Sequence, residues 1–227
     1  MAMIYCSQLT KHYSHTANAL SSVTFKIEPG EMVFLTGHSG AGKSTLLRLL
    51  GSLEHPSKGD IIINGRNINR MKKREIPVFR RQIGLIFQNP ELLLKRSVFD
   101  NVALPLVITG FRQHEINRRV RAALDKVSLL GYEKEKPENL SCGEQQRVGI
   151  ARAIVHRPSI ILADEPTGNL DPELSKEIID LLEQFNQLGT TLLIASHNTH
   201  IIEHLSYRTL KLQTGQLIED AKETIYV

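Results

Sequence analysis

One segment of the chain has residue types and spacing that suit the binding of a polyphosphate. It runs Gly37-His38-Ser39-Gly40-Ala41-Gly42-Lys43-Ser44 and matches G-x-x-x-x-G-K-[ST] at every fixed position. Small residues let the backbone N–H groups point inward, and the helix expected to start near Lys43 adds its positive end. We therefore predict a nucleotide site here that includes Thr45, with Lys43 on the β- and γ-phosphates and Ser44 on Mg²⁺. A chance glycine-rich turn is a poor alternative, because an apolar run precedes the segment and a helical pattern follows it.

Two acids form the second candidate cluster. Asp164 and Glu165 follow the apolar run Ile160–Ala163. Since the carboxyl ends of parallel strands meet at one edge of a sheet, Asp164 is expected near the Mg²⁺ held by Ser44. Glu165 is placed to accept the proton of an attacking water. Acids after a strand usually just start a loop, and only the phosphate loop upstream makes the catalytic hypothesis the better one.

The elements that must position these clusters are predicted from apolar periodicity. Three apolar runs, 32–36, 160–163 and 191–195, suit central strands covered on both faces. The predicted strands are Met3–Leu9, Val23–Ile27, Met32–Thr36, Ile61–Asn64, Ile83–Phe87, Ile160–Ala163, Thr191–Ala195, Tyr207–Leu212 and Gln216–Glu219. The predicted helices are Lys43–Leu53, Ser97–Ile108, Gln113–Leu130, Pro172–Leu188 and Asn198–His204. Strands that alternate with helices indicate an α/β fold.

The front and the middle of the chain differ from this alternation. Turn signals at Pro29-Gly30 and Asn64-Gly65 predict hairpins in an antiparallel layer. Residues 90–140 carry helical patterns without strand candidates, and Gly131 is expected to stop the second helix. We therefore predict one domain over 1–227, with a core and β layer in 1–89 and 141–227 and a helical insert at about 90–140.

Bulk properties restrict the class of protein. The 227 residues are 41% hydrophobic and 23% charged, which is ordinary for a globular protein with a substantial core. No apolar run reaches the roughly 18–20 residues of a membrane span, and Met1–Thr10 lacks the features of a signal peptide. Cys6 and Cys142 make no disulfide or metal spacing, so we expect a reduced, cytosolic setting.

Together the motifs resemble those of ATP-binding cassette (ABC) ATPases along essentially the whole chain. Besides the phosphate loop, the string LSCGEQQR from Leu140 is similar to the family's signature, usually L-S-G-G-Q, and ILADEPTGNLD from Ile161 joins the second nucleotide motif to the D-loop. The resemblance implies a P-loop NTPase with a RecA-like core, an antiparallel β layer and a helical subdomain. It also implies an ATP-hydrolysing enzyme that uses ATP and Mg²⁺.

The resemblance assigns roles to further residues. Gln88 matches the Q-loop glutamine, a catalytic residue and metal ligand, and His197 matches the switch histidine. Tyr13 matches the aromatic residue that stacks on adenine, and Asp171 matches the D-loop aspartate. Tyr13 and His197 alone would more often be packing or ordinary histidine and tyrosine residues, and only their order among the other motifs supports these roles.

A head-to-tail homodimer with two ATP molecules at its interface is also implied. In it, the signature residues of one subunit complete the phosphate loop of the other; these residues are Ser141, Cys142, Gly143 and Glu144. Ser141 Oγ, the Gly143 N–H group and the positive end of the following helix would face the γ-phosphate. Cys142 stands where the family pattern has glycine, and it would be strained if that position required φ > 0. It is also a candidate for thiol modification.

The longer strings resemble the branch of the family that contains cell-division, lipoprotein-release and macrolide-export ATPases. The cell-division members are the most similar, which implies an integral membrane partner, the cytoplasmic face of the bacterial inner membrane at the septum, and activation of cell-wall hydrolysis. Lipoprotein release or macrolide export is the alternative within the branch. A soluble ABC ATPase acting on nucleic acid is a third hypothesis, but the chain lacks the second cassette, coiled-coil insert or basic extension that it predicts.

Two surface features keep open interpretations. Leu92, Leu93 and Leu94 form either a docking patch for a partner helix or part of the core of the insert. A basic cluster is most simply a solvated face, with an anionic membrane surface second and nucleic acid third. Its members are Arg70, Lys72, Lys73, Arg74, Arg80 and Arg81. Contacts with division-ring proteins are a further hypothesis, and no nucleic acid partner is expected.

Overall fold

The computed structural model describes residues 2–13, 16–197 and 207–221. Within these ranges the strands are β1 Ile4–Tyr13, β2 Thr16–Ile27, β3 Met32–Thr36, β4 Lys58–Ile63, β5 Arg66–Asn67, β6 Ile83–Ile86, β7 Ile160–Asp164, β8 Thr191–Ala195, β9 Arg208–Gln213 and β10 Gln216–Ala221. The helices are α1 Lys43–Leu50, α2 Ile76–Arg80, α3 Val98–Ile108, α4 Gln113–Lys126, α5 Cys142–Ile154 and α6 Pro172–Gln187. None of the helices in these ranges is long and apolar enough to cross a membrane.

Two sheets organise the molecule. The larger has the order β10-β9-β3-β8-β7-β6, in which β10 is antiparallel and the other strands are parallel. The smaller is antiparallel, with the order β2-β1-β4-β5. This mixed α/β architecture confirms the predicted fold class.

The continuous apolar strands have a simple physical cause. In β3, Met32 and Phe34 belong to one buried cluster, whereas Val33 and Leu35 belong to another on the opposite face of the sheet. The first cluster joins the sheet to α3, α4, α5 and α6, and the second joins it to α1 and the antiparallel sheet. Because both faces are covered, every position of β3 is buried and must be apolar or internally satisfied.

Most predicted elements are confirmed, and their errors lie at turns. Pro29-Gly30 is not a hairpin, because β2 pairs with β1 in the small sheet while β3 pairs with β8 and β9 in the large one. The strand that follows the turn needs cover on both faces, so the chain crosses between the sheets. Asn64-Gly65 does connect an antiparallel pair, β4 and β5.

Two predicted helices are too long. Helix α1 ends at Leu50 and not at Leu53, and α4 ends at Lys126 and not at Leu130. Gly131 does not stop α4, because Ser128 already has the left-handed φ of 59° that breaks the helix. The predicted helix Asn198–His204 lies outside the described residues, and α2 was not predicted.

Candidate functional site

The phosphate loop connects the end of β3 to the start of α1. Gly37 has φ 143° and Gly42 has φ 106°, which side-chain-bearing residues rarely adopt. A Cβ atom at Gly37 would lie 2.2 Å from the Leu212 carbonyl oxygen, and one at Gly42 would lie 2.5 Å from that of Ala19. Neighbouring backbone therefore encloses the loop so closely that both glycines are required by space as well as by conformation.

Lys43 is buried at the centre of this loop. Its Nζ donates hydrogen bonds to the carbonyl oxygens of Gly37, at 2.7 Å, and His38, at 3.3 Å. It also lies 3.6 Å from Glu165 Oε1. A buried ammonium must be paired, and these contacts hold its charge inside the curve of the loop, where a phosphate would bind.

The two acids after β7 have different surroundings. Glu165 has φ 50°, and its N–H donates to the Ala195 carbonyl at 2.9 Å, which ties the turn to the end of β8. Its carboxylate lies between Lys43 and His197, with Oε2 in contact with His197 Nδ1. A left-handed conformation in a residue other than glycine costs on the order of 1–3 kcal/mol, and such costs often mark functional positions.

Asp164 is the more buried acid. Burial raises the pKa of Asp164, and the hydrogen bond with Ser44 opposes this rise. Its Oδ1 atom is buried and has no hydrogen-bond partner. A buried oxygen acceptor without a donor, beside the Ser44 hydroxyl, fits the oxygen ligands that Mg²⁺ or its bound water prefers.

One pocket brings most of the predicted site residues together. It is lined by Ala19, His38, Ser39, Gly40, Ala41, Gly42, Lys43, Ser44, Thr45, Gln88, Glu165 and His197. Gln88 is exposed, and its Nε2 donates to Asn169 Oδ1 at 3.4 Å. The phosphate loop, the Q-loop residue, the acid and the histidine therefore share one cleft at the carboxyl edge of the parallel strands.

Tyr13 lies at the end of β1, with 37% of its surface exposed. Its hydroxyl donates a hydrogen bond to Glu54 Oε2 at 2.7 Å. Sequence reasoning missed Glu54, because no motif marks it and 41 residues separate it from Tyr13.

The signature residues form the amino end of α5 and do not line the described phosphate pocket. Ser141 is the N-cap, and Ser141 and Glu144 make a capping box. The Glu144 carboxylate accepts hydrogen bonds from the Ser141 N–H and hydroxyl, both at 2.8 Å. These bonds lower the pKa of Glu144, so the group that closes this helix end is an anion.

Cys142 is not strained. It is the exposed first residue of α5 and is not among the described residues with positive φ. Gly143 is the position that has no room for a side chain, because a Cβ atom there would lie 3.0 Å from a methyl group of Leu174. The cysteine is therefore accommodated because the tight packing falls on its neighbour.

Asp171 is the N-cap of α6. Its Oδ1 accepts hydrogen bonds from the N–H groups of Glu173 and Leu174, both at 3.0 Å. The side chain is exposed, so the same residue can cap its own helix and face a partner surface.

Helix α5 also supports the Q-loop, which sequence reasoning did not show. Gln146 is buried and donates to the Phe87 carbonyl at 3.1 Å, and Arg152 donates to the Glu91 carbonyl at 3.2 Å. A Cβ atom at Gly149 would lie 2.7 Å from Pro90. The signature helix and the Q-loop are thus packed as one unit.

The comparisons with known proteins define the class first. The ABC transporter family pattern matches residues 20–168. The solved dimeric post-hydrolysis state of the ATP-binding cassette MJ0796, bound to ADP and Pi, is 33% identical and covers 97% of this chain and 98% of that one, with a TM-score of 0.89. The chain belongs to the ABC transporter ATP-binding family and is an ABC-type ATPase, as predicted.

Within that class the similarity is narrower. The chain is 55% identical over 215 residues to the cell division ATP-binding protein FtsE of Escherichia coli (strain K12), covering 95% of this chain and 97% of that protein. It is 46% identical over 225 residues to FtsE of Mycobacterium tuberculosis, covering 99% and 98%. The chain therefore belongs to the FtsE family, and the resemblance to cell-division members is confirmed.

Proposed function

We propose that the chain is the ATPase subunit of a cell-division ABC complex and works as a head-to-tail dimer closed by ATP. The observation that carries the proposal is the separation of two half-sites. One pocket holds Lys43, Ser44, Gln88 and Glu165, whereas the capped end of α5 with Ser141 does not line it. The solved MJ0796 cassettes, which are dimeric, support the same arrangement for this chain.

The pocket residues divide the work of phosphoryl transfer. Lys43 binds the β- and γ-phosphates, and the phosphates replace the carbonyl oxygens that now accept from its Nζ. Ser44, Gln88 and Asp164 would hold Mg²⁺, which neutralises charge on the phosphate oxygens when bound. Glu165 accepts the proton of the attacking water, and His197 orients the Glu165 carboxylate through their direct contact.

Ser141 completes the neighbouring site only after a local exchange of partners. Its hydroxyl proton is directed at Glu144 Oε2, so an arriving γ-phosphate oxygen must compete with that carboxylate. The Gly143 N–H and the positive helix end remain near the same point. Competition of this kind couples closure of the dimer to a fully charged nucleotide, because ADP lacks the γ-phosphate.

The membrane partner is proposed to be an integral protein resembling FtsX. Leu93 and Leu94 are 44% and 57% exposed, whereas Leu92 packs against the core, so the two interpretations of this run each hold for part of it. Buried Asn101 fixes the loop through hydrogen bonds with the Leu93 N–H, at 2.7 Å, and carbonyl, at 3.1 Å. An apolar pair on a fixed loop beside the Q-loop suits a partner helix.

This assignment places the chain on the cytoplasmic face of the inner membrane at the division septum. There, ATP-driven dimerisation would convey a signal through the membrane partner to cell-wall hydrolysis and contact division-ring proteins. The six basic residues near α2 are all exposed, which suits a solvated face close to a membrane better than a nucleic-acid platform, because no aromatic residues alternate with them.

The test is co-purification from membranes with ATP and the Glu165→Gln variant, which is expected to hold the closed dimer. An FtsX-like protein should be recovered, and Leu93→Lys with Leu94→Lys should abolish its recovery. Leu188→Lys is the matched control, because Leu188 is 72% exposed at the end of α6. Recovery of a lipoprotein-release partner instead would contradict the proposal.

A further inference from the structure

We propose that Glu54 is a positioning residue for nucleotide binding, which holds the Tyr13 ring in place through the tyrosine hydroxyl. The inference rests on the proposed role of Tyr13 in stacking on adenine. Its geometric basis is the 2.7 Å hydrogen bond from the Tyr13 hydroxyl to Glu54 Oε2. Glu54 does not line the phosphate pocket, so it would act on the nucleotide only through Tyr13.

An exposed tyrosine needs such a tether if it is to bind a base well. Tyr13 is 37% exposed at the end of β1, and strand packing alone leaves much of its ring uncovered. Stacking requires one orientation of the ring, and fixing a free side chain at binding costs affinity. A hydrogen bond formed before the nucleotide arrives removes part of that cost.

Glu54 is itself held firmly enough to serve as the tether. Lys11 Nζ lies 3.2 Å from its Oε2, and Arg48 Nη1 lies 3.6 Å from its Oε1. Lys11 Nζ is fixed in turn by donating to the His55 carbonyl at 2.8 Å. Although burial opposes ionisation, the hydrogen bonds from Tyr13 and Lys11 outweigh it and lower the pKa of Glu54. The acceptor is thus an anion held by two cations.

The same cluster selects one face of the ring. Lys11 Nζ lies 5.0 Å from the centre of the Tyr13 ring, which is within the range of a cation–π contact. Adenine would therefore stack on the face opposite Lys11.

The tether also fixes the distance from the adenine platform to the phosphates. The Tyr13 hydroxyl has a second hydrogen-bond partner in Thr45, which follows Ser44 in the first turn of α1. The Glu54 N–H donates to the Arg48 carbonyl at 3.4 Å, just beyond the other end of α1. The ring is thus attached to both ends of the helix whose start forms the phosphate loop.

The test measures binding of ATP and of inorganic tripolyphosphate to the full chain by calorimetry. Tyr13→Phe keeps the ring and removes the hydroxyl, and Glu54→Ala removes the acceptor. Each should weaken ATP binding by about threefold to tenfold, the range for one hydrogen bond, and leave tripolyphosphate binding unchanged. Glu54→Gln, which keeps an acceptor oxygen, should retain most of the affinity.

A double-mutant cycle separates positioning from a general structural effect. In the Tyr13→Phe background, Glu54→Ala should cause no further loss of ATP affinity. Glu133→Ala is the matched control, because Glu133 pairs with Arg121 in the helical insert and should not change binding of either ligand. Equal loss of ATP affinity in both backgrounds, or equal loss for ATP and tripolyphosphate, would overturn the inference.

Tyr13→Ala keeps this result distinct from failure of the proposed function. If Tyr13→Ala weakens ATP binding while Glu54→Ala does not, the inference alone is wrong. If Tyr13→Ala leaves ATP affinity unchanged, the adenine platform and the inference are both wrong.

Discussion

The amino ends of α1 and α5 are built from the same element but treat their free N–H groups differently. Helix α1 has Gly42 at its N-cap and no side-chain cap, so its donors remain available to a ligand. Helix α5 has Ser141 and Glu144 in a reciprocal capping box that satisfies its own end. The difference indicates an order of events, in which phosphates bind at α1 directly and engage α5 only by displacing an internal contact.

The largest effect should come from the acid beside the open helix end. Glu165→Gln should reduce the ATPase rate by about 10²–10⁴-fold, because the amide cannot take the proton of the attacking water. ATP binding should persist, and the variant should elute as a dimer with ATP in size-exclusion chromatography. Glu173→Gln, an exposed acid in the first turn of α6, is the control. Normal hydrolysis by Glu165→Gln would refute its role as the base.

Lys43→Ala tests the open end itself. Loss of a charged donor should weaken ATP binding by about tenfold to 150-fold, as expected for hydrogen bonds to a charged group. Calorimetry measures this directly. ATP affinity equal to wild type would mean that the α1 end and its loop are not the phosphate site.

Ser141→Ala tests the closed end. ATP binding to the isolated subunit should be unchanged, whereas the ATPase rate should fall by about tenfold or more, because the residue acts only in the dimer. Losing the cap also costs about 1 kcal/mol of stability. Ser97→Ala is a matched control, since Ser97 and Asp100 form the same capping box at α3. If Ser97→Ala lowers the rate equally, the effect of Ser141 is one of stability alone.

Asp164→Asn sharpens the electrostatic side of the comparison. Burial raises the pKa of Asp164 above its ordinary value of 3.8, so the ionised form opposes folding and stability is lost as the pH rises through this range. Without nucleotide, the variant should therefore be more stable than wild type near pH 7, on the order of 1 kcal/mol. This advantage should disappear below about pH 4, as thermal denaturation can show. Mg²⁺-dependent ATP hydrolysis should be lost, and a less stable variant at pH 7 would contradict the assignment.

Cys142 should give the smallest effect. Cys142→Gly should cost no more than about 1 kcal/mol of stability, because the residue has ordinary helical conformation and exposure. Thiol modification of wild type should inhibit the ATPase by placing bulk beside Ser141, and ATP should protect by closing the dimer. Equal inhibition of the Cys142→Gly variant would show that the reagent acts elsewhere.

The sequence by itself determined the class of protein, the strands of the central sheet and the members of the phosphate site. These depend on local rules, since a buried parallel strand must be apolar throughout and a phosphate loop needs its glycines and lysine at fixed spacing. Tertiary structure decided what no local pattern encodes. Glu54 reaches Tyr13 across 41 residues, Gln146 attaches α5 to the Q-loop, and Pro29-Gly30 passes between two sheets. Such contacts depend on which surfaces meet after the core has packed, and that is a property of the whole chain.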